Sequence, residues 1–150
     1  MQEEKNYRES LTHCRIRGGM LAMPKDEAAN TLLADYVSKS GFFRVFIGVN
    51  DLEREGQYVF TDNTPLRNYS NWKEGEPSDP YGQEDCVEML SSGRWNDTEC
   101  HLTMYFVCEF IKKKKWLPSP YAFVTVTYFY PSFCNCTTFI LTPGKWEMLD

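Results

Sequence analysis

The sequence predicts one α+β domain, in which two helices near the amino terminus precede short antiparallel strands and a long polar loop region. Three observations support this class. Apolar side chains recur at helical spacing up to Gly41, and beyond it short apolar runs alternate with turn signals. Six cysteines in 150 residues indicate structural disulfides and an oxidising compartment.

The first predicted helix lies in NYRESLTHC. Tyr7, Leu11 and Cys14 recur at i, i+4 and i+7 and therefore share one helical face. Gly18 and Gly19 end the periodic run, because glycine favours helix termination.

The second predicted helix lies in PKDEAANTLLADYVSKSG. Pro24 and the acidic residues after it are typical of a helix start. Ala28, Leu32 and Tyr36 repeat every four residues, which predicts one helical face, and Gly41 ends the helix.

Short strands are predicted after the second helix, because runs rich in β-branched and aromatic residues alternate with turns. These runs are RVFIGVN, GQYVFTD, DCVEML, GRWND and MYFVCEF. The polar stretch from residue 61 to residue 84 is longer than an ordinary connection, yet it contains Tyr69, Trp72 and Tyr81. Disordered segments rarely contain such aromatic residues, so we expect something other than a core to order this stretch.

A change of composition follows the lysine run at residues 112–115. We predict a folded domain over residues 1–114 and an atypical tail over residues 115–150, uncharged from residue 116 to residue 144, that is poorly ordered. Pro118, Pro120, Pro131 and Asn135 argue against a membrane span in this tail, although its length would permit one. Its centre, YAFVTVTYFY, alternates like a strand but has no evident partner.

The net charge and the amino-terminal residues bear on the partners and the cellular location of the protein. The net charge of -5 argues against general affinity for nucleic acid. The residues after Met1 contain no apolar segment of a signal peptide. Because the cysteines indicate secretion, we interpret the chain as a fragment of a secreted protein or the product of an alternative start.

The segment EPSDPYGQEDC places four carboxylates in one short loop: Glu76, Asp79, Glu84 and Asp85. Crowded carboxylates either repel one another or share a cation, and a set of oxygen ligands without histidine or thiolate favours calcium over zinc. Further oxygen ligands are available at Asp51, Glu55, Asn96 and Asp97. A solvated acidic loop without an ion is the alternative that composition alone leaves open.

Pairs of glutamate and asparagine around an ion suit the recognition of a sugar. One oxygen of each side chain can bind calcium, while the second carboxylate oxygen accepts a hydrogen bond and the amide NH2 donates one. Two adjacent sugar hydroxyls can bind the ion and exchange hydrogen bonds with such pairs. The sequence therefore indicates a calcium-dependent sugar site rather than an enzyme, since no general base or nucleophile stands out.

Several spaced motifs, EPS, EDC, WND followed by a cysteine, FVCEF, and FIGVND upstream, resemble the carbohydrate-recognition domain of C-type lectins, specifically of collectins, over roughly residues 2–114. The resemblance implies a C-type lectin fold with two helices, antiparallel sheets and a calcium-ordered loop region. Met1 removes most of the first strand of that fold, so we expect this strand to be truncated and the sheet to lack a partner for its last strand.

The resemblance also implies the site. A principal calcium site that also binds carbohydrate would use Glu76, Ser78, Glu84, Asn96 and Asp97, including the Asp97 backbone carbonyl. An auxiliary calcium site would use Asp51, Glu55, Asp79, Glu84 and Asp85. The implied disulfides are Cys14–Cys108 and Cys86–Cys100, and the bond before Pro77 is expected to be cis.

The family's mannose and fucose binders carry EPN and its galactose binders QPD, whereas this chain has EPS. Glu76 accepts hydrogen bonds as in the mannose type. Ser78, with a single hydroxyl, cannot bind calcium and donate to the sugar through separate atoms as an amide does. We therefore predict calcium binding with weakened or relaxed mannose/fucose binding.

The resemblance implies a secreted pattern-recognition lectin of innate immunity with glycans as partners. Full-length collectins form trimers and bind complement-associated proteases, but the collagen-like region is absent from this sequence. The alternative function is a C-type lectin-like module that binds protein without sugar; such modules typically lose WND and the glutamate ligands, which this chain keeps. Asn68 and Asn135 lie in glycosylation sequons, and Asn96 does as well, although a glycan there would block a predicted ligand.

Overall fold

The computed structural model describes residues 4–111 and three further strand segments, residues 124–125, 138–142 and 145–149. The helices are α1 (Tyr7–Ile16) and α2 (Glu27–Lys39). The strands are β1 (Met20–Leu21), β2 (Arg44–Asn50), β3 (Val59–Phe60), β4 (Cys86–Leu90), β5 (Trp95–Thr98), β6 (Tyr105–Phe106), β7 (Cys108–Ile111), β8 (Val124–Thr125), β9 (Thr138–Thr142) and β10 (Lys145–Leu149).

Helix α1 begins at a capping box. The Asn6 side chain accepts a hydrogen bond from the Glu9 amide at 2.9 Å, and the Glu9 carboxylate accepts one from the Asn6 amide at 3.1 Å. Tyr7 and Cys14 are buried, as the predicted helical face requires. The chain leaves the helix through Gly18, whose φ of 82° suits a residue without a side chain.

Helix α2 begins later than Pro24, because the Asp26 side chain accepts from the Ala29 amide at 2.7 Å and caps the helix there. The buried side chains are Asn30, Leu33 and Val37, whereas Leu32 and Tyr36 of the predicted face are half-buried and Ala28 is exposed. The helix buries a stripe spaced by three and four residues, which matches the helical period better than a strict spacing of four.

Two sheets surround the core. The larger has the strand order β3-β2-β4-β5, and β6 pairs with β2. All its pairings are antiparallel except that of β2 with β6, which is parallel. In the smaller sheet β7 lies between β1 and β8.

The expectation that the last strand of the domain lacks a partner was wrong, because β7 pairs on both sides. A remnant of the first strand is present as well, since the backbones of Lys5 and Met104 exchange two hydrogen bonds of 3.1 Å. Strands β9 and β10 form an antiparallel pair. Strand β8, within YAFVTVTYFY, pairs with β7, so the expectation that this run has no partner was wrong. The residues of the predicted tail outside β8, β9 and β10 are not among the described residues, and its poor order stays a prediction.

The core consists of two apolar clusters. One packs α2 on the larger sheet around Trp95, which is fully buried. The other lies under α1 and contains Tyr7 and Phe46, whose rings meet edge to face at 5.3 Å. Both predicted disulfides are present: Cys14–Cys108 joins α1 to β7, and Cys86–Cys100 joins β4 to the turn after β5.

Candidate functional site

The long polar stretch is held partly by aromatic packing. Trp72 meets Trp95 at 5.7 Å and Tyr58 at 4.9 Å between ring centroids. Tyr69 meets Trp95 at 5.9 Å. The expectation that something other than a core orders this stretch was therefore wrong for its first half, because these rings pack on the apolar cluster of α2.

The loop that follows carries the acidic residues. Its Glu76–Pro77 bond is cis, as the resemblance implied. The Asp79 carboxylate accepts from the backbone amides of Gln83 at 2.8 Å and Glu84 at 2.9 Å, which folds the loop into a tight turn. These bonds, with that of Glu84 first, lower the pKa of Asp79.

Three of the five predicted auxiliary ligands converge at the end of β2. One carboxylate oxygen from each of Asp51, Glu55 and Asp79 lies within 4.8 Å of the other two. Asp51 is 2% exposed, and its Oδ2 accepts from the Gly56 amide at 2.8 Å. Asp85 is half-buried beside them, and its backbone carbonyl accepts from the Asp51 amide at 3.1 Å.

The electrostatics of this group show uncompensated negative charge. Burial raises the pKa of Asp51, and the charges of Asp85 and Asp79 raise it further. A hydrogen bond with Asp79, followed by desolvation, raises the pKa of Glu55 to about 7. A cation bound to both carboxylates would lower their pKa values, because an adjacent positive charge favours the ionised form.

The acidic loop approaches β5 at Asp97, one of the predicted principal ligands. Asp97 is fully buried, and its Oδ2 accepts from the Asp79 amide at 2.6 Å. This contact connects the two predicted calcium sites. Burial raises the pKa of Asp97, and the neighbouring Glu76 raises it further. Glu84 lies in the same group: burial raises its pKa, as do the charges of Asp97 and Glu76.

Three buried carboxylate oxygens of the two predicted calcium sites have no hydrogen-bond partner. Within residues 4–111, four buried side-chain polar atoms lack a partner, and three of them are carboxylate oxygens of Asp51, Glu76 and Asp97. A buried carboxylate oxygen without a donor is costly unless a cation neutralises it. The donor set contains oxygens and no histidine or thiolate, which fits calcium.

Ser78 differs from the other predicted ligands of the principal site because it is exposed. Burial opposes ionisation of Glu76, but hydrogen bonds from Ser78 and contributions from Asp97 and Lys73 outweigh it and lower the pKa of Glu76. The Ser78 hydroxyl thus supports its neighbouring carboxylate within the protein.

Asn96 is held by two acceptors. Its Nδ2 donates to the Asp97 backbone carbonyl at 2.7 Å and to Glu88 Oε1 at 3.4 Å. Glu88 Oε2 in turn accepts from Arg44 Nη1 at 3.2 Å. Neither Glu88 nor Arg44 was predicted from the sequence. The signal that could have identified Glu88 is a lone carboxylate inside the apolar run CVEML, one strand away from WND.

None of the helices in the described part of the chain combines the length and the hydropathy needed to cross a bilayer.

Comparisons with known proteins identify related sequences and a related structure. The family profile described as "Lectin C-type domain" matches residues 3–110. Human Collectin-10 is 94% identical over 115 residues, which are 77% of this chain and 42% of that protein. The chicken "Mannose-binding protein" is 39% identical over 97 residues, 64% of this chain and 37% of that protein. The chain therefore spans less than half the length of these relatives.

A solved structure shows the same fold. The cow C-type carbohydrate-recognition domain of CD23, determined in the presence of a GlcNAc2Man3 oligosaccharide, superimposes with a TM-score of 0.62 at 32% identity. The match covers 71% of this chain and 80% of that one.

Proposed function

Because the chain belongs to the C-type lectin domain family and its lectin domain is similar to those of collectins, we propose that it binds mannose- or fucose-type glycans in a calcium-dependent manner. The carrying observation is the group of buried carboxylate oxygens of Asp51, Glu76 and Asp97 that lack partners. Such oxygens fit the ligand shell of a hard divalent cation.

The residues around these oxygens fit two adjoining calcium sites. Asp51, Glu55 and Asp79 would hold the auxiliary ion with Glu84 and Asp85. Glu76, Glu84, Asn96 and Asp97 would hold the principal one, with Ser78 as a weaker ligand at the surface. Calcium, when bound, supplies positive charge and open coordination positions for sugar hydroxyls.

Glu76 supports the mannose or fucose type. Its carboxylate accepts hydrogen bonds and donates none, so it suits a sugar hydroxyl that donates. The printed name of the chicken relative and the oligosaccharide in the cow CD23 structure support the same class of ligand.

Ser78 supports weak binding by a single domain. Its single hydroxyl cannot bind the ion and donate to a sugar through separate atoms, as an amide can. A hydrogen bond left unmade costs about 1 to 3 kcal/mol. Mannose affinity would then be about tenfold or more below that of a site with an amide at this position.

The two disulfides support secretion. We propose glycans as partners and pattern recognition in innate immunity as the setting, in line with the similarity to collectins. Trimer formation and binding of complement-associated proteases stay predictions for longer collectins.

Retention on immobilised mannan tests the proposal. The chain is expected to bind in calcium and to elute with chelator or free mannose. Glu76→Gln is expected to lose retention, while Gln57→Glu, an exposed change outside the ligand set, is expected to keep it. Thermal unfolding in calcium, in chelator and in calcium with mannose provides a second measurement, because each bound ligand raises the melting temperature.

The two proposed properties can fail separately. A melting temperature unaffected by calcium would overturn the calcium site. Stabilisation by calcium without any retention on mannan or response to mannose would instead favour the alternative function, a lectin-like module that binds protein.

A further inference from the structure

Glu88 is a buried carboxylate beside the candidate site that the proposed function does not use as a ligand. It lies in β4 and is 3% exposed. Burial raises its pKa, and the adjacent Arg44 opposes this shift. A carboxylate buried at this depth destabilises the folded protein unless hydrogen bonds or an opposite charge compensate its loss of hydration.

Its partners are set by strand register. Glu88 lies directly opposite Asn96 in the antiparallel pair of β4 and β5, so the two side chains share one face of the sheet. Arg44 lies in β2, the strand on the other side of β4. The carboxylate consequently bridges two strands, with Oε2 on Arg44 at 3.2 Å and Oε1 on Asn96 at 3.4 Å.

The contact with Asn96 selects one orientation of its amide. A carboxylate and a backbone carbonyl can only accept, so both require the NH2 end of the amide. Asn96 Nδ2 donates to Glu88 and to the Asp97 carbonyl, which uses both of its hydrogens. Oδ1, the atom that can bind a cation, takes part in neither of these two hydrogen bonds.

We propose that Glu88 is a positioning residue that fixes the Asn96 amide with Oδ1 available to the cation. The inference rests on the proposed function, since it assigns the cation as the partner of Oδ1. Arg44 completes the arrangement by balancing the charge of Glu88. Because Nδ2 is already engaged, Asn96 offers the sugar fewer donors, which adds to the weakening at Ser78.

Calcium titration without sugar tests this inference, with calorimetry or tryptophan fluorescence as the readout. Glu88→Leu removes the acceptor and keeps the bulk, and Arg44 stays partly exposed to solvent, with 46% of its side chain accessible. We expect calcium affinity to fall about tenfold, which corresponds to the loss of one oriented ligand. Glu88→Gln is expected to give a smaller loss, since its amide oxygen can still accept.

Glu109→Gln is the matched control. Glu109 is a half-buried carboxylate that lies on β7 of the smaller sheet and accepts from the Met23 amide at 3.0 Å. This variant is expected to lower the melting temperature and leave calcium affinity unchanged. Should Glu88→Leu not fold, the side-chain NH2 signal of Asn96 in ¹⁵N-labelled calcium-free protein replaces it; Glu88→Gln is expected to shift that signal.

The outcomes separate the two proposals. If the unmodified chain binds no calcium, the proposed function fails and this inference fails with it. If the unmodified chain binds calcium and the Glu88 variants bind it equally well, or if Glu109→Gln weakens binding to the same extent, only the positioning role is overturned.

Discussion

In the proposed site, the single hydroxyl of Ser78 limits how strongly a calcium-bound sugar would be held. The residue is exposed, and its hydroxyl interacts with Glu76. An amide at this position would offer an oxygen and an NH2 group as separate atoms, which a hydroxyl cannot do. The restriction is thus a property of the side chain itself and does not depend on how the rest of the site folds.

Ser78→Asn is expected to tighten mannose binding about tenfold, because a restored hydrogen bond contributes about 1 to 3 kcal/mol. Isothermal titration with mannose in saturating calcium measures this. Ser78→Ala serves as the comparison and is expected to bind no more tightly than the unmodified chain. An unchanged affinity in Ser78→Asn would show that the serine is not the weak point.

Two sequons in the described part of the chain differ in accessibility. Asn68 is exposed in the loop before Trp72, whereas Asn96 is half-buried in β5 with Nδ2 engaged by two acceptors. In a secreting eukaryotic host, Asn68 is expected to carry a glycan and Asn96 none. Peptide mapping after glycosidase treatment measures both. A glycan on Asn96 would contradict the assignment of that side chain as a calcium ligand.

Among the elements, α1 and β7 depend on a covalent connection. The Cys14–Cys108 disulfide spans 94 residues of sequence, whereas Cys86–Cys100 spans 14. In the chain-entropy description a longer closed loop removes more freedom from the unfolded chain. The disulfide that closes the domain should therefore contribute more than the one that braces the loops.

Replacing both Cys14 and Cys108 by alanine is expected to lower the free energy of unfolding by about 4 kcal/mol, and replacing Cys86 and Cys100 by about 3 kcal/mol. Denaturant titration of each variant in calcium measures the difference. An equal or reversed order would indicate that the unfolded chain is not the main determinant of these contributions.

For the molecule as a whole, the acidic loops are expected to make the effect of calcium on stability depend on pH. Desolvation raises the pKa values of Asp51, Glu84 and Asp97, and the pKa of Glu55 rises from 4.5 to about 7, chiefly through Asp79. A carboxyl whose pKa is raised in the folded state keeps its proton up to a higher pH there than in the unfolded chain. Without calcium, its contribution to stability is therefore lost as pH rises through this range.

Between pH 4.5 and about 7, the range set by Glu55, the melting temperature in chelator is expected to fall as pH rises. Calcium requires the ionised carboxylates, so the increase in melting temperature that it produces should grow over the same range and nearly vanish at its acid end. Thermal unfolding with calcium and with chelator at each pH measures this increase. An increase that does not change with pH would contradict the assignment of these carboxylates as ligands.

By itself the sequence determined the α+β class, the two helices, the strand runs and, through its spaced motifs, the family. These features are encoded locally, in apolar periodicity, turn residues and short motifs, so reading along the chain recovers them. The disulfide partners and the cis bond before Pro77 came from the resemblance, and the structure agrees with both.

Only the tertiary structure decided which groups meet. In the structure the buried face of α2 consists of Asn30, Leu33 and Val37, and β7 pairs on both sides. Glu88 lies between Arg44 and Asn96 and contacts both. These outcomes depend on strand register and on packing between segments far apart in sequence. A lone buried glutamate in an apolar run shows no partner until the neighbouring strands are in place, since its cost and its role both depend on what lies across the sheet.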